Sequence, residues 1–369
     1  MSIEITQVKE TALNEFVNVA YILNKNNKFW VPELKKSVKQ LLHLSHPFWK
    51  NAKRKLFIAH RNGKPQGAIA AIINHAHNKY HNEKCGFFGF FETVDDKEVS
   101  SKLLTSACNY LKEEGMSFVR GPMNPSTNYT CGMLISSFDA YPQIMMPYNA
   151  DYYNQHVTDF GFTKVKDLYA FIRFSTIPIS ERIEKIIGRV LKNIDVSVRN
   201  INLGNLPEEM QTVREIYNQA WSQNWGFVPI ATEEMADTAK NIKPILNPKV
   251  TCVLEVGGKP AAFGIIVPDV NTALKKINGK ITVFNFLPFL MNMRKISQGR
   301  LLLLGVREQY RNKGLELLMI KQLILSIRKL GWSYGEISWI LEDNNKIISI
   351  IKEYGGRLYK KYRIYEKKL

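Results

Sequence analysis

Residues 301–325, LLLLGVREQYRNKGLELLMIKQLIL, decide the fold of this chain. An apolar run from Leu301 to Val306 leads into a basic turn carrying Gly314, and from Leu315 the apolar residues recur at helical spacing. The stretch reads as strand, loop, helix. A helix that starts directly after a tight turn presents backbone N–H groups without intrahelical partners and the positive end of its dipole, which suits an anion of phosphate size. Arg311 and Lys313 add positive charge. Against this stands a plain scaffold reading, in which Glu316 is a favourable first-turn acid on an ordinary helix.

Working outward, the same grammar occurs twice. Residues 57–69, FIAHRNGKPQGAI, form a hairpin around a glycine turn, and residues 252–264, CVLEVGGKPAAFG, repeat it. CGFFGFFETV then precedes an amphipathic helix over Val99–Glu114, closed by Gly115, and a strand SFVRGPMN; RLLLLGV precedes a helix over Leu315–Leu330, Gly331, and the strand YGEISWIL. Each half ends in a further helix, a glycine and β-rich sequence. A duplication follows, with its boundary in FSTIPIS near Ser175–Ser180 and domains over residues 1–177 and 178–369.

Arg311-Asn312-Lys313-Gly314-Leu315-Glu316 resembles the R-x-x-G-x-[G/A] pyrophosphate loop of the GCN5-related N-acetyltransferase (GNAT) superfamily, and Glu316 departs from its last position. The element order resembles that fold over nearly the whole chain. The segments FWVPEL, HPFW, GPMNPS, ISWILEDN and KYRIYEK resemble bacterial tandem GNAT-like proteins. The resemblance implies an α/β fold, a mixed α+β sheet in tandem duplication, and an acyl-CoA, acetyl-CoA or another, as co-substrate. It assigns the pyrophosphate to Arg311, Asn312, Lys313, Gly314 and Leu315. A backbone donor near Gly305, Val306 and Arg307 would polarise the thioester, and Asn344 has a second role beside the cofactor. A carboxylate about 6 Å from a phosphate costs roughly 1–3 kcal/mol. Each hydrogen bond to a charged group returns about 1.5–3 kcal/mol, so several backbone donors outweigh one Glu316.

Strand alternation sends Glu336 and Ser338 to one face, which the resemblance turns into the gap between splayed central strands, making them the catalytic candidates. Paired or solvated carboxylates are the alternative for Glu336. Glu342-Asp343-Asn344 also caps a following helix through Asp343 or Asn344. The family's usual acid, a Tyr four residues before the closing glycine, falls on Ile351; Tyr354 is close by but off that face and reads as a packing aromatic.

The amino half is degenerate. Its loop, ETVDDKEVSSKLL, lacks glycine and carries Glu92, Asp95, Asp96 and Glu98, which repel phosphate. Its polar loop GPMNPSTNY offers Asn124, Ser126 and Asn128, with Tyr148 and Tyr152 beyond, as contacts for an acceptor, or else as a Pro-rich turn with packed aromatics. The net charge of +18 fits an acidic ligand, nucleic acid or an anionic membrane surface, and it is also what a Lys-, Asn- and Ile-rich genome produces. Its spread along a Lys-rich chain, with no basic block, makes nucleic acid an unlikely partner. Cys85, Cys108, Cys131 and Cys252 have neither C-x-x-C nor metal spacing, so no metal is expected. MSIEITQVKE has no signal core, and Ile281–Met293 is too short and Pro-interrupted to span a bilayer, so a cytoplasmic protein is expected, with 281–289 as an inserted lid or interface segment ahead of a membrane contact. Three functions fit this reading: an acyl-CoA-dependent N-acyltransferase acting on a small-molecule or peptide amine, a catalytically inactive ligand- or protein-binding module, and an aminoacyl-tRNA-dependent transferase.

Overall fold

The structure is a computed structural model describing residues 2–369. In chain order the elements are β1 (Glu4–Gln7), α1 (Leu13–Leu23), α2 (Lys35–Leu42), β2 (Ala52–Arg61), β3 (Lys64–Asn74), α3 (His75–His81), β4 (Cys85–Thr93), α4 (Lys97–Glu113), β5 (Phe118–Gly121), β6 (Met123–Asn124), β7 (Thr130–Cys131), β8 (Met133–Leu134), α5 (Tyr152–Asp159) and β9 (Thr163–Phe174). They continue with α6 (Glu181–Asn193), β10 (Val196–Asn200), α7 (Leu206–Ala220), α8 (Thr232–Ile242), β11 (Thr251–Val256), β12 (Lys259–Pro268), α9 (Asn271–Ile277), α10 (Val283–Met293), β13 (Gln298–Val306), α11 (Leu315–Lys329), β14 (Tyr334–Leu341), α12 (Asn345–Glu353) and β15 (Arg357–Lys368).

Two compact units result. The first holds residues 1–168, 271–291 and 360–369; the second holds 169–270 and 292–359. In the first, β1, β2, β3 and β4 pair antiparallel in sequence, then β4 pairs parallel with β5. In the second, β10 to β13 pair antiparallel and β13 pairs parallel with β14. Both hairpins turn on two residues of positive φ, Asn62-Gly63 and Gly257-Gly258, the geometry whose twist matches the flanking strands.

In each unit the strands bury the apolar stripe of one long helix. Val99, Leu103, Leu104, Ala107 and Leu111 of α4 pack on Phe57, Ile69, Ala71 and Phe88. Leu315, Leu318, Met319, Leu323 and Ile327 of α11 pack on Cys252, Leu254, Ala262 and Ile266. The glycine stops are where the sequence puts them, Gly115 and Gly331 both having positive φ.

The compact units do not follow a single cut near residue 177, because two later segments make their bonds in the first unit. Residues 365–368 of β15 pair with β5, Tyr365 against Gly121. Lys360, fully buried, donates from Nζ to the carbonyls of Ala140 at 3.0 Å and Tyr141 at 2.6 Å. The Lys35 N–H donates to the Gly279 carbonyl at 2.9 Å. Within the second unit, the expected linker is pinned: Arg173 donates to the carbonyls of Phe174 and Ile177, and Arg328 to those of Ser175 and Ile177.

Candidate active site

The parallel register of β13 and β14 runs from Gln298/Tyr334 to Leu301/Ile337 and stops, although the strands continue to Val306 and Leu341. The two strands therefore splay. On the other edge of β13 the register with β12 slips between Ile265/Leu303 and Ile266/Leu301, leaving Leu302 as the extra residue of a bulge. Leu301–Leu304 are only half-buried although they sit on a central strand, so the splay opens to solvent. The Arg307 N–H is spent on the Ala261 carbonyl at 2.8 Å. Alternation then turns the N–H groups of Leu304 and Val306 to the opposite edge, where β14 has diverged. Gly305 faces aromatic walls: a Cβ there would lie 2.9 Å from both Phe263 and Trp221. Trp221 stacks on Tyr217, which meets Phe227.

Beyond β13, Asn312 and Gly314 both take positive φ, and Gly314 (φ +80°) is the N-cap of α11. A side chain at Gly314 would be strained by that φ and would meet Val190 at 2.8 Å. No side chain caps the helix. Among the described residues, no protein acceptor takes the N–H groups of Gly314, Leu315 and Glu316. A set of converging backbone donors of this kind forms a cradle that can hold an anion. Glu316 does not fill it: its Oε1 pairs with Lys346 Nζ at 2.7 Å, and its carboxylate accepts no backbone N–H. Lys346 also donates to Asn312 Oδ1 at 2.9 Å, tying the turn to α12. Arg311 points elsewhere, donating from Nη2 to the Gln219 (2.8 Å) and Ala220 (3.0 Å) carbonyls at the end of α7. Lys313 lies 5.4 Å from the Tyr310 ring centroid. The loop's backbone, more than its cations, makes the cradle.

Glu336 and Ser338 share a face, as alternation requires. Glu336 is fully buried and Ser338 nearly so; the Ser338 hydroxyl donates to one Glu336 oxygen and the Tyr359 hydroxyl to the other. Arg300, in register with Glu336, donates from Nε to Ser338 Oγ at 2.8 Å. This polar cluster sits where the strands begin to part. In the sequence, Arg300 stands out only as a cation heading an otherwise apolar strand, and nothing local marks Tyr359. Asn344 caps α12, accepting from the Ile347 N–H at 3.3 Å. Ile351 is buried with Phe171 and Ile348, and the Tyr354 hydroxyl donates to the Leu317 carbonyl at 2.6 Å, so both are packing residues.

The first unit has the same splay, but filled. Pairing of β4 with β5 ends at Phe87/Arg120. Beyond it a Cβ on Gly89 would stand 1.7 Å from the Met123 carbonyl oxygen, and Asn124 Oδ1 accepts from the Phe90 N–H at 2.6 Å. The α4 N-terminus is capped by Asp96, which accepts from the Glu98 and Val99 N–H groups and pairs with Arg61 at 2.7 Å. Of the five residues expected at an acceptor, Asn124 is thus committed to β4. The Tyr148 hydroxyl donates to the Phe138 carbonyl at 2.9 Å and that of Tyr152 to the Thr93 carbonyl at 2.8 Å. Buried Ser126 accepts from the Asn128 N–H at 3.3 Å. These bonds brace a loop.

All four cysteines are buried and none of them forms a disulfide, and burial pushes the Cys85, Cys108 and Cys252 thiols up. Among the described residues His77, Glu83 and Cys85 approach one another closely enough to share an ion. Glu83, however, is held by a hydrogen bond to His77 at 2.6 Å and a salt bridge to Arg120 at 2.7 Å.

A splayed parallel pair, a bulged central strand and a glycine turn opening a helix define the acyl-CoA N-acyltransferase (GNAT) fold, here in tandem. Solved structures agree: a tandem GNAT protein from the clavulanic acid biosynthesis pathway superposes with a TM-score of 0.58 at 10% identity, covering 100% of this chain and 98% of the other. A glucosamine N-acetyltransferase region of a fungal β-N-acetylglucosaminidase gives 0.60 at 12% identity, covering 99% of this chain and 38% of that one. No family model matches the sequence. Two curated proteins align nearly end to end: the bacterial ceramide synthase of Caulobacter vibrioides, 30% identical over 97% of this chain and 95% of its own, and protein YghO of Escherichia coli, 29% identical over 99% and 95%. The chain belongs to the family of the Caulobacter bacterial ceramide synthase, and its fold is the tandem GNAT fold.

Proposed function

We propose that the second unit binds an acyl-CoA and transfers its acyl group to the amine of a long-chain, amphipathic acceptor. The observation that carries this is the contrast between the two splays: Asn124 and Asp96 occupy the groups in the first unit that stay unpaired around Leu304, Val306 and Gly314–Glu316 in the second. Those residues fit a pantetheine diphosphate. Backbone amides at the head of α11 hold the phosphates, and the N–H groups of Leu304 and Val306 offer an edge for an extended chain of amides. Bound there, acyl-CoA supplies a thioester carbonyl open to attack by an amine. Glu336, reached through Tyr359 or an ordered water, takes the proton the amine releases. With Ile351 apolar, the thiolate leaves without a dedicated acid from that position.

The acceptor class draws on two things. The wall beside Gly305 is aromatic, formed by Trp221, Phe263 and Tyr217. A relative that aligns nearly end to end carries the name ceramide synthase, and a ceramide is an N-acylated long-chain base.

Acyl-CoAs of increasing chain length are titrated against the melting point, and CoA release is followed with long-chain amines. A donor at a hundredfold excess over Kd stabilises by about 2.7 kcal/mol, and Gly314→Asp removes the shift. Glu336→Gln retains it while turnover falls about a hundredfold. No shift with any acyl-CoA would return the chain to a non-catalytic binding module.

A further inference from the structure

Helix α10 is built inside out. Eight of its eleven residues are Val, Phe, Leu or Met, yet not one is buried. Phe284 is 95% exposed, Val283 90% and Leu287 65%, with Phe286, Leu290 and Met291 also exposed. The less exposed positions are Asn285, Phe289, Asn292 and Met293, spaced i, i+4, i+7 and i+8 along one side. Both asparagines therefore lie on the sheltered side with Phe289 and Met293, and the other six apolar side chains face out, the reverse of an ordinary surface helix. Asn285 spends its side chain on the helix start, donating to the Lys280 carbonyl at 2.9 Å and accepting from the Thr282 N–H at 2.7 Å.

The preceding segment is firmly seated. Lys275 Nζ donates to the carbonyls of Asn27 at 2.9 Å and Trp30 at 2.5 Å, and Gly279 bonds the Lys35 N–H. An anchored base carrying an apolar helix is a presented surface, not a frayed end.

Charge selects what covers it. Residues 271–299 contain Lys275, Lys276, Lys280, Arg294 and Lys295 and no Asp or Glu. Four of these cations flank the helix exposed. A second copy of this face would set the same cations against each other, whereas an anionic bilayer answers both features. Eleven residues reach about 16 Å, half the roughly 30 Å of a hydrocarbon core, so the helix lies in the interface and does not cross. Pro288 has no N–H for the Phe284 carbonyl, which suits a depth where water still reaches the backbone.

We propose that α10 docks the protein on the surface of an anionic phospholipid bilayer, with Val283, Phe284, Phe286, Leu287, Leu290 and Met291 in the headgroup–acyl boundary and Lys276, Lys280, Arg294 and Lys295 on the lipid phosphates. The surface stands apart from acyl transfer, since vesicle binding requires no catalysis.

The test is co-sedimentation of the full chain with vesicles of 30% phosphatidylglycerol in phosphatidylcholine and with pure phosphatidylcholine. Binding to the first, at least tenfold tighter than to the second and weakened by 0.5 M salt, is expected. F284E/L287E lowers it at least tenfold with an unchanged melting point, because both side chains are in solvent in the free protein. K280E/R294E/K295E removes the preference for phosphatidylglycerol while weak binding remains. Wild-type protein left in the supernatant, or F284E/L287E bound as tightly as wild type, overturns the proposal. So does a wild-type dimer in sedimentation velocity that F284E/L287E dissociates with no change in vesicle binding. The acyl-CoA melting shift of F284E/L287E is unaffected in every case, which separates this outcome from a failure of the acyltransferase reading.

Discussion

Glu92 and His77 titrate against each other in the first unit. Burial raises the Glu92 carboxyl to about 7, against hydrogen bonds from Tyr153 (2.8 Å) and Asn24 (3.0 Å) that pull the other way. Burial lowers His77 to about 4 despite Glu83. The stability Glu92 contributes as a neutral acid is complete below pH 4.5 and is lost as pH rises through 7; that of neutral His77 is complete above pH 6.5 and is lost as pH falls through 4. Each full swing is on the order of 3 kcal/mol. Between pH 4.5 and 6.5 they oppose, and just above 6.5 the Glu92 slope prevails until its folded carboxyl is ionised as well, past about pH 7. Urea melts should therefore show wild-type stability falling from pH 6.5 through 7 and level beyond. Glu92→Gln should be flat there and climb between pH 4 and 6.5. A variant that still declines above pH 6.5 refutes the assignment. At this scale the sequence was partly legible. Alternation placed Glu336 beside Ser338, and Asn344 as a cap follows from local rules. Side-chain direction did not follow: Arg311 in a phosphate-loop pattern turns to the end of a helix about ninety residues earlier, and nothing local distinguishes that from a phosphate contact.

Arg311 shows what the elements do to one another. Its guanidinium takes two carbonyls of the α7 C-terminus, which carries negative partial charge, and so fixes the turn before α11 against α7. Arg311→Ala is expected to cost about 1 kcal/mol of stability. It should weaken acyl-CoA binding less than tenfold, whereas Gly314→Asp abolishes it; equal losses in a melting-shift titration would mean that the side chain, not the backbone, holds the phosphate. Most elements were readable because their signals are short-range. Glycine stops ended α4 and α11, and G-K-P hairpins marked β2–β3 and β11–β12. The different fates of the two splays were readable only in part. Asp96 announces itself as an acid at a helix start, but the seating of Asn124 on Phe90 depends on a loop thirty-four residues away.

For the whole molecule, the duplication follows from repeated patterning, while the exchange of segments does not, since pairing of Tyr365 with Gly121 or of Lys360 with Ala140 leaves no local trace. A fragment of residues 1–177 keeps every element of the first repeat yet lacks the strand that pairs with β5 and the buried ammonium that holds two carbonyls. It should be unfolded by circular dichroism and by proteolysis, and adding a peptide of residues 357–369 should not restore it fully, because 271–291 is missing as well. A cooperatively melting fragment would contradict this. During synthesis the consequence is one of timing. The portion made first stays unfinished until residues 360–369 emerge from the ribosome, so a nascent chain stalled before them leaves the edge of β5 unpaired, and quality control has a single late event by which to tell a finished first unit from an unfinished one.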